Sequence, residues 1–240
     1  MSNLEEIQDG VYRLGTQWVN WYLCEADGRV TVIDCGFRRY YEQLSPALGR
    51  LGLGPEAVES VVLTHYHPDH VGSAQRISAE TGAAVHAPEG DAEGVRAGKG
   101  PPPPGLLGSV WRPVMARYLT HAALSGGTGF PAVPEARAYA DGDLIDGPVP
   151  LRAVATPGHT AGHCALLAED RGVLFAGDSI ATVDFFSRQE RPALLAFAED
   201  SADAERSLGR LEGLQAGVLA PGHGPPFRGE PAEAVRQARA

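Results

Sequence analysis

A strand that ends in metal-ligand side chains restricts both the fold around it and the chemistry it can serve. In this chain the apolar run Val61-Val62-Leu63 leads directly into Thr64-His65-Tyr66-His67-Pro68-Asp69-His70-Val71-Gly72. Three histidines and one aspartate stand within six positions. The two-residue period of an extended chain puts His65 and His67 on the same side of the strand end. Asp69 and His70 continue into the turn before the next helix, so a second centre can sit beside the first. Neutral imidazoles and carboxylates are the donors that borderline divalent metals take. A solvated polar loop is the plainer alternative. Four donors this close at the end of a buried strand argue for a metal instead.

Three later segments repeat the form, an apolar run ending in a turn that carries a donor. They are Leu151 to His159, Val173 to Asp178, and Val218 to His223, with Gly158, Gly177 and Gly222 beside the donors. Glycine lets the backbone turn sharply and come close to a metal. In these residues the chain resembles the metallo-β-lactamase superfamily of hydrolases, from Val11 to about Phe227. The His-x-His-x-Asp-His motif, the later His, the Asp after Gly and the final His are matched in order and type. The resemblance implies that His65, His67 and His159 hold one metal and that Asp69, His70 and His223 hold a second, with Asp178 bridging. Two divalent metals follow, zinc foremost, with manganese or iron as alternatives. Two dications about 3.5 Å apart need carboxylates between and beside them, and a water they share yields a hydroxide nucleophile near neutral pH. Asp69 is the catalytic candidate, orienting that hydroxide. The implied fold is α+β, a four-layer αββα sandwich.

Size and charge agree with a small-molecule enzyme. With 240 residues, 43% of them hydrophobic, the chain is long enough for a sizeable core. A net charge of −10 argues against nucleic acid as the main partner, since phosphate backbones call for clustered Lys and Arg. Cys24, Cys35 and Cys164 are scattered and odd in number, which speaks against a disulfide framework. The N-terminus lacks the pattern of a secretion signal, and no apolar stretch is long enough to span a bilayer, so a cytoplasmic location without membrane contact is expected.

In order, residues 4 to 34 read as a strand meander with a turn at Asp27-Gly28. Asp34, at the end of its strand, is either a turn-capping carboxylate or a group that orients a ligand histidine. A helix around Tyr40 to Leu51 kinks or restarts near Ser45 because of Pro46. Ser73 is a candidate N-cap for a helix to about Thr81, and Ala84-Val85-His86 is a short strand. Residues 89–136 read as an insertion within a single domain spanning residues 1–240. Gly98 to Gly105, with four prolines, is an extended connector. Pro113 opens a helix whose Val114, Met115, Tyr118, Leu119 and Ala122 share a face. The insertion is expected to be a lid near the site mouth or a homodimerisation arm, and Trp111, Met115 and Tyr118 suit either role. Leu151–Ala155, Cys164–Leu167 and Val173–Ala176 read as successive strands of a second sheet. Ser201 caps a helix through Leu214, and residues 230–240 form a last one.

Departures from the family's branches narrow the activity. An Asp at the bridging position differs from true β-lactamases. The run after it, Ser179 to Phe186, lacks the pattern of the glutathione-thioester and persulfide branches, and it carries no tyrosine of the lactonase kind, although Tyr118 can reach in from the insertion. The nucleases carry an RNA arm that this acidic chain lacks. The expected activity is hydrolysis of a small-molecule ester, lactone, thioester or amide, with Phe185 and Phe186 helping to line an apolar pocket. Arg188 and Arg191 read as solvated charge or as a substrate-carboxylate contact. His86, His121 and His163 read as surface groups or supports of ligands. Two alternatives stand beside this reading. One is a mononuclear iron oxidoreductase of the persulfide dioxygenase type held by His65, His159 and Asp178, and the other is a phosphodiesterase.

Overall fold

Neighbouring residues on the central strands face different apolar layers, and this builds the architecture. In the computed structural model, which describes residues 4–100 and 104–240, Val61 is buried against helices while Val62 faces the opposite sheet. Leu166 and Phe175 likewise face the space between the sheets, while Leu167 and Leu174 face helices on the far side. Strands covered on both faces read as unbroken apolar runs, which is why these segments showed little alternation. Three apolar interfaces stacked in this way make four layers, helix, sheet, sheet, helix, as expected for an αββα sandwich.

The first sheet has the order β1 to β7. An antiparallel meander of β1 (Glu5–Gln8), β2 (Val11–Gly15), β3 (Asn20–Ala26) and β4 (Arg29–Ile33) is extended in parallel by β5 (Val58–Val62), β6 (Ala84–Pro88) and β7 (Arg137–Tyr139). Asp27 and Gly28 both take positive φ (51° and 76°), giving the two-residue hairpin that strand twist favours. Parallel pairing needs crossovers. These carry helices α1 (Leu44–Arg50), α2 (Pro68–Val71), α3 (Ala74–Thr81) and α4 (Glu89–Ala97). Pro46 lies in the first turn of α1, where its missing N–H costs little, and a short 3₁₀ turn at Arg38–Gln43 precedes it.

The second sheet has the order β13-β12-β11-β10-β9-β8. It is built from β8 (Leu144–Ile145), β9 (Leu151–Ala155), β10 (Cys164–Ala168), β11 (Val173–Gly177), β12 (Val218–Pro221) and β13 (Phe227–Arg228). In the chain α5 (Pro113–Leu124) follows α4, and Leu208 and Leu211 just after α6 (Ser201–Ser207), with Ala234 and Val235 of α7 (Pro231–Ala238), cover the outer face of the second sheet. Among the described residues, no helix is long and apolar enough to cross a membrane.

Two local expectations are corrected. Asp200, not Ser201, caps α6, its carboxylate accepting from Asp203 N at 2.9 Å, because Asp200 holds the extended conformation an N-cap requires. Ser73 precedes α3 in near-helical conformation, so its hydroxyl donates to Phe37 O at 2.8 Å instead of capping. Within residues 89–136, α4 packs on β6 and β7 as part of the outer helix layer, and the chain returns beside it through a Val133 N to Val95 O bond of 3.0 Å. From there the chain leads into β7 and β8 before reaching the strand that ends at His159. Of the Gly98 to Gly105 connector, residues 101–103 lie outside the described residues.

Candidate metal centre

Every donor sits just past the end of a strand, at one edge of the sandwich. His65 and His67 follow β5, and Asp69 and His70 lie on α2, which Pro68 opens. His159 follows β9, Asp178 follows β11 and His223 follows β12. The structure brings all seven together as two buried groups, His65, His67, His159 and Asp178 in one, Asp69, His70 and His223 in the other. In the first, His67 Nδ1 lies 3.1 Å from His65 Nε2 and 2.9 Å from His159 Nε2. Asp178 Oδ2 is 3.2 Å from both His159 Nε2 and His223 Nε2, and Asp178 Oδ1 is 3.4 Å from His70 Nε2. Asp178 thus faces donors of both groups.

Close backbone approach makes this crowding feasible. At Gly177 (φ 51°) an added Cβ would meet His163 Nε2 at 2.6 Å and Thr64 Oγ1 at 2.8 Å. At Gly222 it would meet Asp178 Oδ1 at 2.2 Å. Glycine at these two positions is a steric requirement of the cluster.

Partners behind the donors fix which ring nitrogen faces inward. Asp34, itself in left-handed conformation (φ 53°), accepts from Thr64 N and from His70 Nδ1, both at 2.8 Å. His70 Nε2 is thereby aimed at Asp178. Thr64 Oγ1 lies between Asp34 and His65 Nδ1 (3.0 Å), and His223 Nδ1 donates to Trp18 O. Burial, followed by the neighbouring imidazoles, holds His65 well below the usual histidine pKa, and burial does the same for His159 against the pull of Asp178. Both keep the free lone pair that a metal needs. Burial would raise Asp178, but His223, His70 and His159 outweigh it and hold the carboxylate ionised. His70 Nε2 and Asp178 Oδ1 face each other without a hydrogen bond, both buried. Unpartnered polar atoms pointing into a nest of nitrogen and oxygen donors are what a divalent cation would satisfy, so the residues fit a metal.

Of the two roles the sequence left to His163, surface group or support of a ligand, the structure shows the second, while Asp91 and Glu199 escaped the sequence reading. His163 is wholly buried and pushed down by burial to about 3; it accepts from Asp178 N at 2.9 Å and pairs with Thr156 Oγ1 at 2.8 Å. Its position four residues after His159 was the available signal. Asp91 on α4 ties the two ligand loops together, accepting from Tyr66 N (3.1 Å), Thr160 Oγ1 (2.7 Å) and Gly162 N (2.8 Å). Glu199 accepts from Ala161 N at 3.1 Å and from the Tyr66 hydroxyl, which points away from the donors. No local motif marks either carboxylate.

Over the donors lies a small apolar pocket of about 120 Å³, walled by Phe37, Leu106, Tyr118, Phe185 and Phe197. The Tyr118 hydroxyl donates to Asp69 Oδ2 at 2.8 Å, so α5 reaches the centre. Of the five residues expected here, Tyr118 and Phe185 line the pocket. Met115, one helical turn before Tyr118, is wholly buried behind it against Phe185 and Phe197. Trp111 precedes the helix and is 74% exposed, and Trp111 and Phe186 line a separate outer cleft.

A buried His/Asp donor set at one edge of a two-sheet sandwich defines a metal-dependent enzyme. The chain belongs to the metallo-beta-lactamase superfamily, whose family model matches residues 16–223. It is 28% identical over 249 residues to the "Probable metallo-hydrolase YflN" of Bacillus subtilis, covering 94% of this chain and 88% of that protein. It is also 28% identical to a hydroxyacylglutathione hydrolase of Serratia proteamaculans, over 67% of this chain but only 46% of that protein. Among solved structures, a metallo-beta-lactamase family protein of Thermus thermophilus superposes with a TM-score of 0.68 at 27% identity, covering 96% of this chain and 78% of that one. Within the superfamily the chain is a metallo-hydrolase.

Proposed function

We propose that this hydrolase works with two divalent cations, zinc foremost, and cleaves a small-molecule ester, lactone, thioester or amide with water. The observation that carries this reading is Asp178, whose two oxygens face both donor groups at 3.2 to 3.4 Å. A mononuclear iron centre would leave Asp69, His70 and His223 without a task, so the two-cation reading is favoured. His65, His67 and His159 would hold one cation, Asp69, His70 and His223 the other, and Asp178 both. Bound there, the cations supply a water of lowered pKa and a Lewis acid for the carbonyl.

The remaining roles belong to the chain. Asp69 Oδ2 faces the pocket and orients the attacking water. Burial, then the charge of Asp69, raises the Tyr118 pKa well above its usual value, so this hydroxyl stays protonated; its single proton rests on Asp69 Oδ2, and only by rotating away from that carboxylate can it donate to the leaving oxygen, sulfur or nitrogen. Phe37, Phe185 and Phe197 exclude bulk water, which strengthens each of these interactions. A relative is named for hydrolysis of hydroxyacylglutathione, which keeps thioesters in the panel.

The test is elemental analysis of purified protein, followed by a panel of esters, lactones, thioesters and amides. About two zinc or manganese per chain with turnover of one class is the expected result. One iron per chain with oxygen uptake on thiol substrates would replace this reading with the oxidoreductase.

A further inference from the structure

The inner pocket holds little more than a reacting group, whereas ligand sites for larger molecules run to roughly 300–1,000 Å³. Trp18, which lines a second cavity, packs behind two wall residues of this pocket. On one side its ring meets Tyr118 (5.7 Å) and Phe185 (6.3 Å), and on the other the Arg188 guanidinium stacks over it at 4.6 Å. Beyond Trp18 opens a cleft of about 670 Å³ walled by Arg112, Arg117, Arg188, Trp18, Trp111 and Phe186.

Its charge is out of keeping with the rest of the molecule. The chain has 30 acidic residues against 20 basic ones, yet among the described residues no carboxylate lines this cleft. Among the described residues none of the three arginines forms an ion pair, so their charge is not neutralised within the cleft, whereas Arg13, Arg76, Arg152 and Arg210 are paired and Arg38, Arg39, Arg96, Arg137, Arg191 and Arg228 share the unpaired state on other parts of the surface. Glu190, the acidic neighbour of Arg188, lines the adjoining groove instead. Arg188 is held in left-handed conformation (φ 61°), a strained state for a residue with a side chain. The turn is fixed by Asp184 Oδ1, which accepts from Phe186 N (3.1 Å) and Ser187 N (2.6 Å), while Arg188 donates to Gln17 O at 2.9 Å. Arg112 lies 4.2 Å from the Phe186 ring and 4.9 Å from Trp111, whose indole N–H donates to Gly108 O at 3.0 Å while the ring stays 74% exposed. Planar guanidinium groups suit phosphate oxygens, and exposed aromatic faces suit a flat heterocycle.

We propose that this cleft binds a phosphorylated nucleoside group, carried as the handle on the leaving half of the substrate while the acyl half enters past Trp18. The leaving-half assignment rests on the hydrolase reading; the binding site itself does not.

The first test is binding of adenosine 3′,5′-bisphosphate to the full chain, with and without zinc, followed by calorimetry and tryptophan fluorescence. Saturable one-to-one binding is expected, weakened about tenfold or more by Arg117→Glu and by Arg112→Ala, as loss of a charge-assisted contact implies, and unchanged by Arg76→Glu on another face. No saturable binding, or no effect of Arg117→Glu, overturns the site. Equal affinity for adenosine overturns recognition of the phosphate, and equal affinity for pyrophosphate overturns recognition of the ring. The second test compares acetyl-coenzyme A with S-acetyl-N-acetylcysteamine, which share an acyl group. A kcat/KM at least about tenfold higher for the former, carried by KM, is expected. Equal values overturn the leaving-half assignment. Binding of the bisphosphate without turnover of any ester, lactone, thioester or amide upholds the cleft and removes the proposed substrate reading instead.

Discussion

Asp178 lies within 4 Å of four imidazoles, His65, His70, His159 and His223, so its removal unbalances both donor groups at once. Asp178→Ala is expected to lose at least one metal per chain and to lower turnover more than about 100-fold, a loss that even outer partners of ligands can cause. Far-UV circular dichroism should remain native; full activity would end the two-cation reading. Tyr118→Phe separates chemistry from metal holding. With the hydroxyl on Asp69 gone, kcat should fall by roughly 10²-fold while metal content stays constant. Unchanged kcat would leave Tyr118 as a wall only. Asp34 was open to two readings in the sequence because a carboxylate ending a strand looks the same in either role. Its contact with His70 depends on the meander strand and the motif strand lying side by side.

At the scale of elements, α5 and α4 differ although both lie in the segment read as one insertion. Helix α5 contributes Tyr118 to the pocket wall and one side of the outer cleft, so deleting residues 106–125 should change substrate preference across an acyl series more than it changes metal content. An unaltered preference would count against a lid. Helix α4 carries Asp91, which burial raises to about 6. The unfolded chain releases this proton near its ordinary value, so the folded state binds more protons between about pH 4 and pH 6. Its contribution to stability is therefore lost as pH rises through that window, and the penalty is complete above it. Relative to Asp91→Asn, the wild type should lose up to about 3 kcal/mol between pH 4 and pH 7, read by urea unfolding. A pH-independent difference would refute this.

Across the whole molecule the donors come from both halves. His65, His67, Asp69 and His70 follow the first sheet, and His159, Asp178 and His223 follow the second. Bound cations would therefore clip the sheets together at one edge and stabilise only the folded chain. At a hundredfold excess over its dissociation constant each contributes about 2.7 kcal/mol. Chelation should accordingly lower the melting temperature by several degrees, and added zinc should restore it. A melting curve indifferent to chelator would argue against occupied sites.

Much of this organisation was legible because it is local in the chain. The strand feeding His65 and His67, the glycines before Asp178 and His223, and the Asp27-Gly28 hairpin are set by side-chain period and by backbone sterics acting over a few residues. The resemblance carried by those ordered motifs extended the reading to the four layers. Tertiary structure alone decided how separate segments meet. Asp91 and Glu199 brace two ligand loops from distant positions, His163 turns inward to hold Asp178, and Met115 packs behind the pocket that Tyr118 lines. Trp18 comes to lie behind the pocket wall only when α5 and the turn at Asp184 close on it. A hydrogen bond or ring contact between segments tens of residues apart leaves no periodic trace in either one, so such contacts exist only once the sheets have packed.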